Sequence, residues 1–169
     1  MRGVAHRALP DDHPLILGMS GFWGTEYING KCKAADWIVG LGTRFSEADC
    51  SSWESEYTFN FPPTQLIHID IDPAEIGRNY PVAIGAVADL KAALATLLRV
   101  AKRLAPAGVQ RTALLAEMAA NRKTFVDGNR AAMESDAWPM RPERILADLR
   151  KALPRDAIIC TDVGWNKNC

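Results

Sequence analysis

No apolar run in this sequence approaches a membrane span: the longest, such as Trp37-Ile38-Val39-Gly40-Leu41, stop far short of the roughly 20 residues required. Residues 1–15 hold Arg2 and Arg7 but lack the apolar stretch that a secretory signal needs. Charge of one sign is also missing. The 20 Lys and Arg balance 20 Asp and Glu without any basic cluster, so the footprint of a nucleic-acid binder is absent. The four cysteines, Cys32, Cys50, Cys160 and Cys169, form no Cys-x-x-Cys pair, which excludes the usual zinc and disulfide frameworks. Cys32 and Cys160, the latter directly after Ile158-Ile159, read as buried or half-buried free thiols. His6, His13 and His68 are too scattered for a metal cage or a triad, and no Gly-x-Ser-x-Gly, Walker-type loop or His-Glu-x-x-His occurs. What remains is a soluble, cytoplasmic globular protein with no nucleic acid and no membrane as partner. A chain of this size buries roughly 70% of its unfolded surface and folds without a staple.

What is present is alternation. Short apolar runs interleave with helical periodicity, the pattern of a parallel α/β sheet. Strands are expected at residues 36–41, 65–71 and 81–87. Asp89 is placed to cap a helix reaching residue 104, whose Leu90, Leu94, Leu97, Leu98 and Ala101 repeat at three and four and predict one face packed on the sheet. Ala105-Pro106-Ala107-Gly108 breaks the pattern and marks a domain boundary. A polar helix is expected over 109–134 with Leu114, Leu115 and Met118 as its thin stripe, then a loop over 135–140. Pro142 suits the first turn of a helix carrying Ile145, Leu146 and Leu149 on one face, and a final strand is expected at 157–161.

Four segments could carry chemistry. In the first, Gly18, Gly21 and Gly24 at three-residue spacing let backbone approach something flat or phosphorylated, with a helix able to start at Thr25, although glycines equally serve turns. The second, Gly40-Leu41-Gly42-Thr43-Arg44-Phe45, begins like a dinucleotide fingerprint but has Phe45 where the third glycine belongs, so it does not establish an NAD site. In the third, strand alternation sends Ile67, Ile69 and Ile71 to one face and His68, Asp70 and Asp72 to the other, with Pro73 stopping the strand. Asp70 at the carboxyl end suits either a ribose hydroxyl or backbone N–H groups, Asp72 reads as the cap of a short helix from Pro73, and His68 as a structural strand histidine. The fourth, 161–168, comes after the last strand and serves equally as a diphosphate cradle or a surface turn.

Taken together and in order, these segments resemble the acetolactate synthase-like family of thiamine-diphosphate-dependent enzymes. Asp12-His13-Pro14-Leu15, Leu17-Gly18-Met19 with Gly21 and Gly24-Thr25, Gly42-Thr43-Arg44-Phe45, the run from His68 to Gly77, and Ala88-Asp89 are similar to its central domain. Thr161-Asp162-Val163-Gly164 is similar to the opening of its C-terminal domain. The resemblance implies a Rossmann-like central domain that holds FAD in acetolactate synthases and ADP or nothing in relatives. It places Gly18, Met19, Gly21, Gly24 and Thr25 along the flavin and pyrophosphate, Gly42, Thr43 and Arg44 on the dinucleotide, and Asp70, Ile71 and Asp89 around the adenosine end. Val163, Gly164, Trp165 and Asn166 would touch thiamine diphosphate. Trp165-Asn166 replaces the family's usual Gln-His and Phe22-Trp23 its usual Met-His, which points to a superfamily member other than an acetolactate synthase.

The resemblance also implies a domain plan: 1–105 an N-terminally truncated central domain, 106–140 a helical linker, 141–169 the start of the cofactor domain. The family's catalytic glutamate and its Gly-Asp-Gly…Asn motif for Mg²⁺ are expected in parts this sequence does not contain, and Asp127-Gly128-Asn129 lacks the preceding glycine. The expectation is a fragment of an enzyme that joins or cleaves carbon–carbon bonds of 2-oxo acids, inactive alone, with no catalytic or metal residue of its own. Its partners would be a homo-oligomer or the missing domains. The alternative is a non-catalytic FAD/ADP-binding or protein-interaction module.

Overall fold

The computed structural model describes residues 9–10 and 13–160. The chain divides into two compact units, Met1–Thr112 and Ala113–Cys169.

In the first unit, α1 (Glu26–Lys33) precedes β1 (Trp37–Leu41), β2 (Gln65–Asp70), β3 (Ile84–Val87) and α2 (Leu90–Leu104). The strands form a parallel sheet in the order β1-β2-β3, with Gly40 beside His68 and Asp70 beside Val87. This is the expected α/β architecture. The second strand stops one residue before the expected end because the Asp70 carboxylate accepts the Asp72 N–H at 2.9 Å and turns the chain. The third starts later than expected: Pro81 has no N–H to give, and only Ala83 onward reaches β2.

The crossover from β1 to β2, residues 42–64, contains no α-helix; it carries a 3₁₀ segment, Glu47–Trp53, and most of the core. Phe45, Cys50, Phe59, Leu66 and Tyr80 form that core, with Cys32, Ile38, Phe61 and Val82 packed around it. Phe45 meets Phe59 and Tyr80 edge-on at 5.7 and 5.6 Å between ring centres, pairs worth about 0.5–1.5 kcal/mol each beyond their burial. Its ring lies over Gly40, where any Cβ would fall 2.8 Å from it. The core thus occupies the sheet face of Ile38, Leu66 and His68.

On the other face of β1, Trp37, Val39 and Leu41 remain 52, 49 and 38% exposed. Helix α2 packs against β2. The expected burial of its apolar stripe is met only at Leu90, which is half-buried; Leu94, Leu97 and Leu98 are exposed.

In the second unit, α3 (Thr112–Met133) buries Met118, and α4 (Pro142–Ala152) starts with proline in its first turn, as expected. Arg144 joins Asp148 at 2.6 Å, Asp136 at 2.8 Å and the Ser135 carbonyl at 3.1 Å, tying the 135–140 loop to α4. The strand expected at 157–161 is not formed over 157–160, the part described. There the Ala157 N–H turns back to the Pro154 carbonyl, and no neighbouring strand offers a ladder in this unit among the described residues.

Candidate functional site

A parallel sheet places the carboxyl ends of its strands on one edge, and three of the sequence-predicted segments leave from that edge. Gly42-Thr43-Arg44 comes directly after β1, Asp70-Ile71 closes β2, and Asp89 lies just beyond β3. The Gly42 N–H donates to Ile69 at 2.8 Å and the Ala88 N–H to Asp70 at 2.9 Å, so the three exits are stitched together. Gly42 has φ +59°, and a Cβ there would strike the Leu90 side chain at 2.7 Å. The left-handed φ is what favours glycine there, since the leucine tip can shift. Asp89 caps α2 as expected, its Oδ1 accepting from Ala92 at 3.0 Å.

Asp70 is buried, and one of its oxygens holds the Asp72 N–H. Asp72 accepts from Ala74 at 2.9 Å, but residues 73–77 form turns in place of the expected short helix. With the Glu75 N–H bonded to the Asp72 carbonyl, these carboxylates organise a tight corner. His68 is structural, as expected: only 2% exposed, it pairs Nε2 with the Thr43 carbonyl at 2.9 Å, while Nδ1 accepts from Gly77 at 3.4 Å. It therefore joins the loop after β1 to the corner after β2.

Two residues at this edge take part in ways not assigned to them from the sequence. Glu75 is buried; its Oε1 meets Arg78 at 3.0 Å and Arg44 at 3.6 Å, while Oε2 has no hydrogen-bond partner. Asn79 donates to the carbonyls of Arg44 and Phe45 at 3.0 and 3.1 Å. The three-residue spacing of Glu75 and Arg78 is a signal that sequence carries; the reach of Asn79 back to Arg44 is not.

The Gly18–Thr25 loop is anchored by the same crossover. Gly21 has φ +80°, and a Cβ there would sit 2.3 Å from the Asp49 backbone. At Gly24 it would sit 2.7 Å from Asn29 Oδ1 and the Met19 carbonyl. Asn29 accepts the Gly21 N–H at 2.9 Å and donates to the Gly21 carbonyl at 2.8 Å. Close protein packing accounts for both glycines. Gly18 is also in the left-handed region, at φ +119°, facing Ile28. Thr25 caps α1 through Ile28 at 3.3 Å, as expected, and Met19 is 43% exposed. Val163, Gly164, Trp165 and Asn166 lie outside the described residues.

Burial pushes the Cys50 thiol up to about 12, and burial likewise raises Cys32. The Tyr80 hydroxyl, buried without a hydrogen-bond partner, is raised as well, chiefly by burial. These groups stay protonated at neutral pH and belong to the core. Cys160, expected to be covered, is exposed because its segment joins no sheet among the described residues. Asp127 is a surface residue of α3, held below its usual range by Lys123 and Arg130. Among the described residues no group of three or more His, Cys, Asp or Glu could hold a metal. No described helix is long and apolar enough to cross a membrane.

Comparison with known proteins adds a family. Residues 3–97 match the family described as thiamine pyrophosphate enzyme, central domain. A probable acetolactate synthase large subunit of Methanocaldococcus jannaschii is 33% identical over 171 residues, covering 94% of this chain and 26% of that protein. A glyoxylate carboligase of Escherichia coli O157:H7 is 33% identical over 162 residues, again 94% and 26%. An acetolactate synthase of Mycobacterium leprae is 30% identical over 165 residues, 97% and 25%. The chain spans about a quarter of the length of these curated relatives.

Proposed function

The chain belongs to the thiamine pyrophosphate enzyme family, in its central domain, and from that premise we propose that it carries an adenine nucleotide, FAD or ADP, within an enzyme acting on 2-oxo acids. The observation that carries this reading is the convergence of Gly42-Thr43-Arg44, Asp70-Ile71 and Asp89 on one sheet edge, where open α/β sheets take their ligands. The donor set suits such a group. Arg44, 75% exposed, offers a cation to a diphosphate; Asp70 offers a carboxylate to a ribose hydroxyl; Ile71, 70% exposed, offers apolar surface to a planar ring. Gly18, Met19, Gly21, Gly24 and Thr25 are assigned to the same ligand by resemblance; their loop is held on the crossover that begins at Gly42.

The whole reaction is proposed to be carboligation or decarboxylation of a small 2-oxo acid, in keeping with relatives named acetolactate synthase and glyoxylate carboligase. Thiamine diphosphate, when bound with Mg²⁺, supplies the electron sink for such chemistry. We assign it Val163, Gly164, Trp165 and Asn166 by resemblance, and no described residue to the metal. We further assign 1–105 to the central domain, 106–140 to a linker and 141–169 to the cofactor domain, in a cytoplasmic protein that works with further domains or further copies. The chain by itself binds and does not turn over substrate.

Titrating the chain with ADP and FAD tests the binding claim: saturable binding that weakens on Arg44→Ala is expected, and its absence removes the proposal. Product formed from pyruvate or glyoxylate with thiamine diphosphate and Mg²⁺, above a cofactor-only control, would show instead that the chain is catalytic alone.

A further inference from the structure

We infer that Asn79 is a positioning residue for Arg44, holding the loop after β1 in the backbone shape that presents the guanidinium to a nucleotide diphosphate; this rests on the nucleotide reading above. The Asn79 amide donates to two successive carbonyls, Arg44 at 3.0 Å and Phe45 at 3.1 Å. The Phe45 carbonyl also accepts the Trp53 indole N–H at 2.7 Å, so both of its lone pairs are engaged.

Phe45 needs that hold. Its φ of +47° lies in the left-handed region, where a residue with a Cβ is strained and persists only when its surroundings over-determine it. One determinant is the ring, 6% exposed, seated over Gly40 and edge-on to His68 at 5.2 Å. The others are the two donors on its carbonyl. Trp53 is a dependent anchor: Ser51, Ser52 and Trp53 are themselves left-handed, at φ +50°, +56° and +62°. Asn79 comes from the corner after β2, which Asp70, Asp72 and His68 already brace.

The product of this arrangement is the posture of Arg44. Its main chain is fixed by Asn79, its Nε faces Glu75 Oε1 at 3.6 Å, and its side chain is otherwise three-quarters in solvent. Remove the Asn79 donors and one carbonyl lone pair of Phe45 is bared. The strained residue is then free to relax, and the Arg44–Phe45 peptide turns with it. A ligand that needs the original shape binds in proportion to the population that keeps it.

The test is competitive titration of the full chain with ADP, alongside thermal melting, for Asn79→Ala, Asn79→Asp, Asn79→Gln and Trp53→Phe, each with and without Arg44→Ala. Asn79→Ala and Asn79→Asp are expected to weaken ADP about tenfold, as the competent loop becomes a minor population. Asn79→Gln, which keeps the amide donors, recovers most of the loss, and Trp53→Phe weakens binding in the same direction. In the Arg44→Ala background, Asn79→Ala lowers the melting temperature as before but leaves ADP affinity unchanged. Asn79 is exposed, and Trp53→Phe carries the same test if Asn79→Asp does not fold. Affinity within about twofold of the original in Asn79→Asp, or a loss that persists in the Arg44→Ala background, overturns the positioning role and leaves the nucleotide reading standing. No saturable ADP or FAD binding by the unaltered chain overturns both.

Discussion

Asp89 Oδ1 takes the Ala92 N–H at 3.0 Å, so the residue that leads out of β3 also opens α2. That one hydrogen bond satisfies a donor which the helix cannot satisfy itself. Asp89→Ala is expected to cost about 1 kcal/mol of stability, and Asp89→Asn, an equally good cap, only a few tenths. Urea unfolding of the two variants checks this; equal losses would mean that the charge and not the cap matters.

Gly21 and Gly30 make a contrasting pair. A methyl at Gly21 meets the Asp49 backbone at 2.3 Å from a φ of +80°, whereas at Gly30, inside α1, nothing lies within 4 Å. Gly21→Ala should cost about 3 kcal/mol or more through strain and overpacking. Gly30→Ala should gain about 0.5–1 kcal/mol from helix propensity. Melting temperatures moving in opposite directions are the expected result.

The buried thiol of Cys50 gives a pH dependence with a definite sign. Cys50 titrates near its ordinary 9.0 when unfolded and at about 12 when folded, so the folded state holds its proton longer. Its contribution is complete below pH 9 and is lost as pH rises from there toward 12. Tyr80, also raised from 10.0, adds loss in the same direction at still higher pH. Stability measured between about pH 8 and 11 should therefore fall, and Cys50→Ala should flatten the fall. In thiol labelling of the native chain, Cys160 should react well before Cys32 or Cys50.

His68 is expected to matter for folding, not for proton transfer. His68→Leu bares the Thr43 carbonyl that Nε2 meets at 2.9 Å and should cost about 1–3 kcal/mol. An activity or binding pH profile that shifts in this variant without any loss of stability would contradict the structural role.

Much of the fold is legible in the residues themselves, for physical reasons. The strands announce themselves by β-branched runs ended by Gly42 and Pro73, and α2 by leucines at helical spacing behind Asp89. What local pattern does not encode is which side chain reaches which distant backbone. Asn79 and Glu75 serve Arg44 across the sheet edge, and Asn29 serves Gly21, through contacts set by the tertiary fold. The glycines of the Gly18–Thr25 loop are visible in the sequence, yet the Asp49 backbone that demands Gly21 is not. The expected strand at 157–161 fails over 157–160 because an apolar run becomes a strand only beside a neighbour.

The core inside the β1–β2 crossover has a kinetic consequence. In an ordinary parallel unit the connecting helix forms on its own, and strand pairing comes after it. Here residues 42–64 have no such helix to shorten the search, and Phe45, Phe59 and Phe61 must find Tyr80 while β1 finds β2. Loop closure and ring docking are then a single event, in which the entropy of closing the loop is offset only as the rings meet. Truncating Phe59 should slow refolding more than it speeds unfolding, which makes this aromatic cluster the nucleus as well as the core.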